Sequence, residues 1–355
     1  MLNSKSTKRT SIYNFNNKNG IKKFQTINLT KKNIKKILII KWGGMGDIIL
    51  STGIMHDVRV SFPKSEIHLN TLPQWKDLFK NDQRFDHIWG SNKSQKIGFF
   101  NHLYNWLKKI RSEKYDLIID LQTNDRTRIY LTILKVLKIC PKYLVGNHGI
   151  FPYSIFPKEN QNLQQPFQLL QRTINTIGIE SKTIYPKLFL TKEENELALK
   201  LLKKNNLNYK EYVAFICGSH RNGKLKRWGS KNFIRLSKLI MSDFNLKIIL
   251  IGGPDDINEC INISKQNKKI INLCNKTKLK VLPRIFQNAK FIIGNDTGTS
   301  HLVSMTNTPM IEMFGPTDPI KSKPLGKNII AVKAENSLME NISPNHILKM
   351  IKEIL

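Results

Sequence analysis

The chain has 355 residues, too many for one comfortable core and about right for two domains of ordinary size. Its 40% hydrophobic content supports packed cores, and no apolar run reaches the roughly 20 residues of a membrane span. The net charge of +32 would suit nucleic acid or an anionic membrane, but it is mostly lysine beside abundant Asn and Ile. No RNA-recognition motif, zinc finger or basic heptad helix accompanies it, so no nucleic-acid partner is expected.

In chain order, residues 1–33 are polar and basic, without the apolar stretch and cleavage site of a secretory signal. They are expected to form a disordered leader on a cytoplasmic protein. A buried strand at Lys35–Lys41 breaks at Gly43, Gly44 and Gly46 and leads into a helix from Asp47 to about Val60. Further strands are predicted at Glu66–Asn70, Phe85–Trp89, Tyr115–Leu121 and Lys142–Gly146, with helices between most of them. Four prolines then punctuate the stretch from Phe151 to Leu190, where the domain junction is expected. A second alternating series follows, with strands at Glu211–Cys217, Leu246–Gly253, Lys269–Leu273 and Lys290–Asp296 and a last helix over Pro344–Leu355. The fold class is therefore α/β, two Rossmann-like domains facing across a cleft, at 34–178 and 179–343. The final helix, 344–355, has no strand after it and could cross back onto the first domain. The four cysteines, Cys140, Cys217, Cys260 and Cys274, lack Cys-x-x-Cys spacing, so neither a zinc site nor a disulfide framework is indicated and reduced thiols are expected.

Four constellations carry chemistry. In Trp42-Gly43-Gly44-Met45-Gly46-Asp47, glycines turn the backbone off a strand and put Asp47 at a helix start. There a carboxylate can serve as a general base or merely as an N-cap. In Asn295-Asp296-Thr297-Gly298-Thr299-Ser300-His301, a strand, small-residue loop and helix start can aim N–H groups at a phosphate. His301 is either near that phosphate or simply packed. The loop Gly218–Ser230 brings Ser219, Lys224, Lys226 and Arg227 after a strand, where a diphosphate leaving group needs positive charge; a solvated basic turn is the alternative. In Gly252–Asp256, Asp255 or Asp256 could accept from ribose hydroxyls or cap a helix. No Asp-x-Asp occurs, which disfavours a metal-chelating sugar transferase; no metal and no cofactor are expected.

These motifs resemble those of the lipopolysaccharide heptosyltransferases of glycosyltransferase family 9. The resemblance is carried by ILIIKWGGMGDIILSTGIM, YDLIIDLQTNDRTR, KRW at Lys226–Trp228, LIGGPDD and NDTGTSHLVSMTNTPMIEMFGPTDP, and spans about Lys36 to Leu325. It implies the GT-B arrangement, with acceptor bound by the N-terminal domain and donor, typically ADP-heptose, by the C-terminal one. It also implies metal-independent transfer with inversion. Carried onto this sequence, Asp47 is the proposed base, Asp296 to Thr299 the diphosphate loop, Lys226 a phosphate contact, and the Gly252–Asp256 turn lies by the nucleoside. A lipid-linked anionic acceptor, Kdo-lipid A or inner core, at the inner-membrane surface would be gripped by Arg126 and Arg128 beside the Gly43–Gly46 loop. Gly43-Gly44 stands where the family often has Ser. A nucleotide-sugar epimerase of the same two-domain architecture is the alternative.

Overall fold

The computed structural model describes residues 27–90, 98–122, 124–147, 151–157, 165–220 and 222–355. The chain divides into two compact units, one of residues 1–43 and 51–184 and one of residues 44–50 and 185–355.

In the first unit, β1 (Lys36–Ile40), α1 (Met45–Ser61), β2 (Glu66–Thr71), α2 (Lys76–Phe79), β3 (His87–Gly90), α3 (Phe99–Glu113), β4 (Leu117–Asp120), α4 (Asp125–Val136), β5 (Tyr143–Val145) and α5 (Pro166–Asn175) follow one another. All sheet pairings are parallel, in the order β3-β2-β1-β4-β5. Parallel strands are covered on both faces, which is why Ile37–Ile40 reads as an unbroken apolar run and is fully buried. The first turn of α1 groups with the second unit.

The end of the expected leader is ordered. The N–H groups of Ile27 and Leu29 donate to the carbonyls of Thr176 and Ile177, and both side chains are buried. Low apolar content hides this, because two well-placed side chains are enough to dock a short segment. The rest of the leader, residues 1–26, lies outside the described residues.

The second unit runs α6 (Lys192–Lys204), β6 (Tyr212–Ile216), α7 (Ser230–Phe244), β7 (Lys247–Ile251), α8 (Ile257–Ser264), β8 (Ile270–Asn272), α9 (Leu282–Asn288), β9 (Ile292–Asn295), β10 (Met310–Phe314), α10 (Pro319–Ser322), β11 (Ile329–Lys333) and α11 (Pro344–Ile354). Its sheet is parallel in the order β11-β10-β9-β6-β7-β8. Both orders are those of doubly wound sheets, whose ligands bind beyond the strand C-termini. Strands β10 and β11 extend the sequence expectation by two. α11 buries Ile347 and Ile351 among Phe233, Leu236 and Ile240 of α7, so its apolar face is spent on the core of its own unit. Among the described residues no helix is long and apolar enough to cross a membrane.

One core position breaks the apolar rule. Glu312, central in β10, is fully buried, and neither carboxylate oxygen has a hydrogen-bond partner among the described residues. Burial pushes its carboxyl well above the ordinary 4.5, and Asp296 adds to the shift. The folded chain therefore holds Glu312 protonated at pH values where the unfolded chain has released the proton. The stability this group contributes is present below 4.5 and is lost as pH rises through the folded value. Glu312→Gln should raise the melting temperature by a few degrees at pH 8 and by less at pH 5. An equal effect at both pH values in calorimetry would mean the carboxyl is not the cause.

Candidate functional site

The glycine loop leaves β1 at the C-terminal edge of the first sheet and is pinned by tryptophans. Trp75 Nε1 donates to the Gly43 carbonyl at 3.0 Å, and the Trp42 N–H donates to Gln122 Oε1 at 2.9 Å. Trp42 and Trp106 both donate their indole N–H to Asn70 Oδ1, each at 2.9 Å. Arg126, on the first turn of α4, lays its guanidinium over the Trp42 ring, 5.3 Å from the centroid. It forms no ion pair with a described residue, whereas Arg128 is 3.0 Å from Asp125 Oδ1. Of the two arginines expected to face an anionic acceptor, Arg126 is thus the one beside the loop and without an ion pair among the described residues.

Asp47 sits in the first turn of α1, two residues past its start, and is exposed. Its carboxylate makes no hydrogen bond with any described residue. The N-cap alternative asks for a side-chain oxygen on a backbone N–H, and Asp47 supplies none.

The same grouping of residues contains the NDTG segment. Asn295 ties the end of β9 to the chain after β6: its Nδ2 donates to the Cys217 carbonyl and its Oδ1 accepts from the Trp228 N–H at 3.2 Å. Asp296 is buried, and its Oδ2 accepts from Lys226 Nζ at 2.7 Å and from the Thr317 hydroxyl at 2.5 Å. An ammonium has three donors, so Lys226, about a third exposed, keeps two of them for another acceptor. Thr317 is a partner the sequence does not advertise, since nothing local says that its hydroxyl returns to a residue 21 positions earlier.

A 3-10 helix, Gly298–Met305, starts directly after Thr297. Its first N–H groups have no acceptor within the helix. His301, on that helix, has a shielded Nδ1 without a partner among the described residues, and burial lowers its pKa to about 4, against a rise from Asp296 and Asp47. The ring is neutral at pH 7. Two glycines set the packing here. A Cβ on Gly46 would fall 2.8 Å from His301 Cδ2, and one on Gly298 would fall 2.6 Å from Met45 Cβ and 3.0 Å from the Gly46 nitrogen. Close approach at Gly298, expected to serve a phosphate, is thus used by the chain itself. Gly298→Val should lower the melting temperature, because overpacking costs about 1–3 kcal/mol. Thr299→Ala, which loses only a 3.8 Å contact to Met45 Sδ, should leave it within about 1 °C. Thermal unfolding of both variants checks the ranking, and equal melting temperatures would contradict it.

In the basic loop the three described Lys and Arg residues part company. Lys224 is exposed. Arg227 forks onto Asp256 Oδ1 at 2.6 Å and Glu259 Oε2 at 2.7 Å and also donates to the Ser219 carbonyl. It is an internal clamp, whereas Lys226 keeps donors of its ammonium uncommitted among the described residues. The same clamp separates the two aspartates of the Gly252–Asp256 turn. Asp256 is buried against Arg227 and accepts from the Gly253 N–H, while Asp255 is exposed. Ser219 turns its hydroxyl inward to the Gly223 carbonyl at 2.7 Å. The four cysteines are free thiols.

Among the described residues one cluster has ligand atoms spaced for a metal: Glu66, His68 and Glu113. Lys36 Nζ lies 3.1 Å from Glu66 and 2.6 Å from Glu113, so an ammonium already supplies the positive charge there.

Residues 103–351 match the profile of Glycosyltransferase family 9 (heptosyltransferase). Among curated proteins the chain is 24% identical over 312 residues to Lipopolysaccharide heptosyltransferase 3 of Escherichia coli K12, covering 82% of this chain and 86% of that one. It is 25% identical over 352 residues to Lipopolysaccharide heptosyltransferase 1 of Campylobacter coli, covering 90% and 98%. Among solved structures its fold is similar to a glycosyl transferase family 9 protein from Veillonella parvula (TM-score 0.78, 19% identity, 93% of this chain and 98% of that one). It is also similar to an Escherichia coli heptosyltransferase solved with ADP (TM-score 0.66, 19% identity, 90% and 100%). A UDP-GlcNAc 2-epimerase from Methanocaldococcus jannaschii shares the architecture more loosely (TM-score 0.55, 16% identity, 89% and 92%). With a profile match over most of the chain and two parallel doubly wound sheets of the GT-B kind, the protein belongs to glycosyltransferase family 9 and is a glycosyltransferase.

Proposed function

We propose that the chain transfers a heptose or a related sugar from a nucleotide diphosphate, ADP-heptose in the first instance, to the lipopolysaccharide inner core, with inversion and without a metal. The proposal includes action at the cytoplasmic face of the inner membrane, on a lipid-linked anionic acceptor held beside Arg126. Heptosyltransferases among the relatives, one of them solved with ADP, support the donor class. The observation that carries the chemistry is the exposed, unpartnered carboxylate of Asp47 in the grouping that also holds Lys226, Asp296 and Thr317.

In this mechanism Asp47 takes the proton of an acceptor hydroxyl as that oxygen bonds to the anomeric carbon. The bond from that carbon to the diphosphate oxygen breaks on the opposite side, which inverts the centre. Lys226, held on Asp296, meets the charge left on the diphosphate, and the N–H groups at the start of Gly298–Met305 add to it. Asp255, exposed after β7, is the candidate for the ribose hydroxyls.

The test is transfer from ADP-heptose to a delipidated inner-core oligosaccharide, followed by mass spectrometry, with and without excess EDTA. Product of unchanged yield in EDTA is expected. Loss of product in EDTA with recovery in Mg²⁺ or Mn²⁺ would overturn the metal-free mechanism. Release of free epimerised sugar without acceptor would favour the epimerase alternative.

A further inference from the structure

Helices α3 and α4 lie side by side on the first sheet, joined through Tyr130, whose ring is 5.3 Å from Trp106 and whose hydroxyl is 2.7 Å from His102 Nδ1. Their inner faces are ordinary core: Leu103, Trp106 and Ile110 of α3 meet Tyr130, Leu131 and Leu134 of α4. Their outer faces are not ordinary. Phe100 is 80% exposed and Tyr104 64%, one turn apart on α3; on α4 Ile129 is 52% and Val136 68% exposed. Single exposed apolar residues need no explanation, but stripes on the outer faces of two adjacent helices do.

On α3 the stripe continues as Lys108 and Arg111, so it runs from aromatic to cationic along one face. At the cationic end is a cavity of about 250 Å³ lined by Ile110, Arg111, Lys114, Lys138, Ile139 and Cys140, among others. None of Arg111, Lys114 and Lys138 is in an ion pair with a described residue. Glu113, the neighbouring acid, is already bonded to Lys36 and Lys109 at 2.6 and 2.9 Å. Two helix C-termini point toward this end, each worth roughly −0.5 charge, about −1 together, against three full positive charges. A positive excess of about two remains for an external anion. Helices α3 and α4 end just before β4 and β5, so the cavity lies at the strand N-termini, at the opposite edge of the sheet from the Gly43 loop and Arg126.

We propose that this face docks on an anionic phospholipid bilayer, with Phe100, Tyr104, Ile129 and Val136 entering the headgroup boundary and a lipid phosphate seated among Arg111, Lys114 and Lys138. Aromatic side chains with a cationic flank are what such an interface takes, and the +32 charge of the chain opposes a second copy covering the same face. The inference rests on the lipid-linked acceptor of the proposed function for its purpose, but its measurement does not.

The full chain is sedimented, without donor or acceptor, with vesicles of phosphatidylethanolamine containing or lacking phosphatidylglycerol. Binding only to the anionic vesicles is expected. Arg111→Ser and Lys138→Ser should each weaken it about fivefold at low salt. The double variant Phe100→Ser/Tyr104→Ser should abolish the binding that survives high salt, where surface charge is screened. All four residues are exposed, and unchanged near-ultraviolet circular dichroism is the folding control. Transfer to the delipidated oligosaccharide should be unaltered in every variant, so failure of the docking surface and failure of the glycosyltransferase assignment are distinguishable. Equal binding to neutral vesicles, variants that bind like the parent, complete displacement by millimolar inorganic phosphate, or an aromatic variant that changes only the sedimenting mass of the free protein would each overturn the proposal.

Discussion

Asp47→Asn is expected to lower turnover by about 10²–10⁴-fold while donor affinity stays within about twofold. The substitution keeps the shape and removes the proton acceptor. Because Asp47 is exposed and bonds to no described residue, its charge acts on the fold only through the start of α1 and at a distance on His301, so the melting temperature should not move by more than about 1 °C. That combination separates a base from a helix cap, whose loss costs typically about 1 kcal/mol and would appear as instability. Initial rates at saturating donor, donor calorimetry and a melting curve decide it. Turnover above a tenth of the parent's would remove Asp47 from the chemistry.

The second large effect is at Lys226. Lys226→Ala deletes the ammonium proposed to meet the diphosphate, and among the described residues it leaves the buried Asp296 carboxylate with only the Thr317 hydroxyl. Turnover should fall by about 10²–10³-fold and donor affinity by at least tenfold, since charge on the leaving group is met in both the ground and transition states. Asp296→Asn should do less, because it frees the ammonium without removing it. If the two residues act as one unit, the double variant will be no worse than Lys226→Ala alone. Unchanged donor affinity in Lys226→Ala would place the ammonium away from the phosphates and leave it only as the counter-ion of Asp296.

Much of this architecture is legible from pattern because parallel strands covered on both faces write themselves as short apolar runs. Ile37–Ile40, Leu117–Ile119 and Tyr212–Ile216 are such runs, and each ends in a turn that the sequence marks with small or polar residues. β10 is harder to see because Glu312 interrupts its run. β11 sits at the sheet edge and buries only Ile329 and Val332 of its five residues, which weakens the same signal. At the site, Asp47 and the segment after Asn295 are visible because strand, turn and helix start are local events. The pairing is not local. Lys224, Lys226 and Arg227 read alike in sequence, and only the folded chain assigns Arg227 to Asp256 and Glu259 and Lys226 to Asp296, across 29, 32 and 70 positions. The close approach of Gly298 to Gly46 is hidden for the same reason.

The indoles around the glycine loop have an optical consequence. Of the five tryptophans, Trp42 and Trp106 share the Asn70 carboxamide, Trp89 gives the same side chain a carbonyl acceptor at 3.3 Å, and Trp75 holds Gly43. Only Trp228 belongs to the second unit. Intrinsic emission therefore reports almost entirely on the first unit, and on the loop most of all. With Arg126 stacked on Trp42, an anion arriving at that guanidinium alters the field across a chromophore it never touches. The chain thus carries a built-in fluorescent gauge of anion occupancy at Arg126 that needs no label, and Trp228→Phe would leave its signal nearly whole.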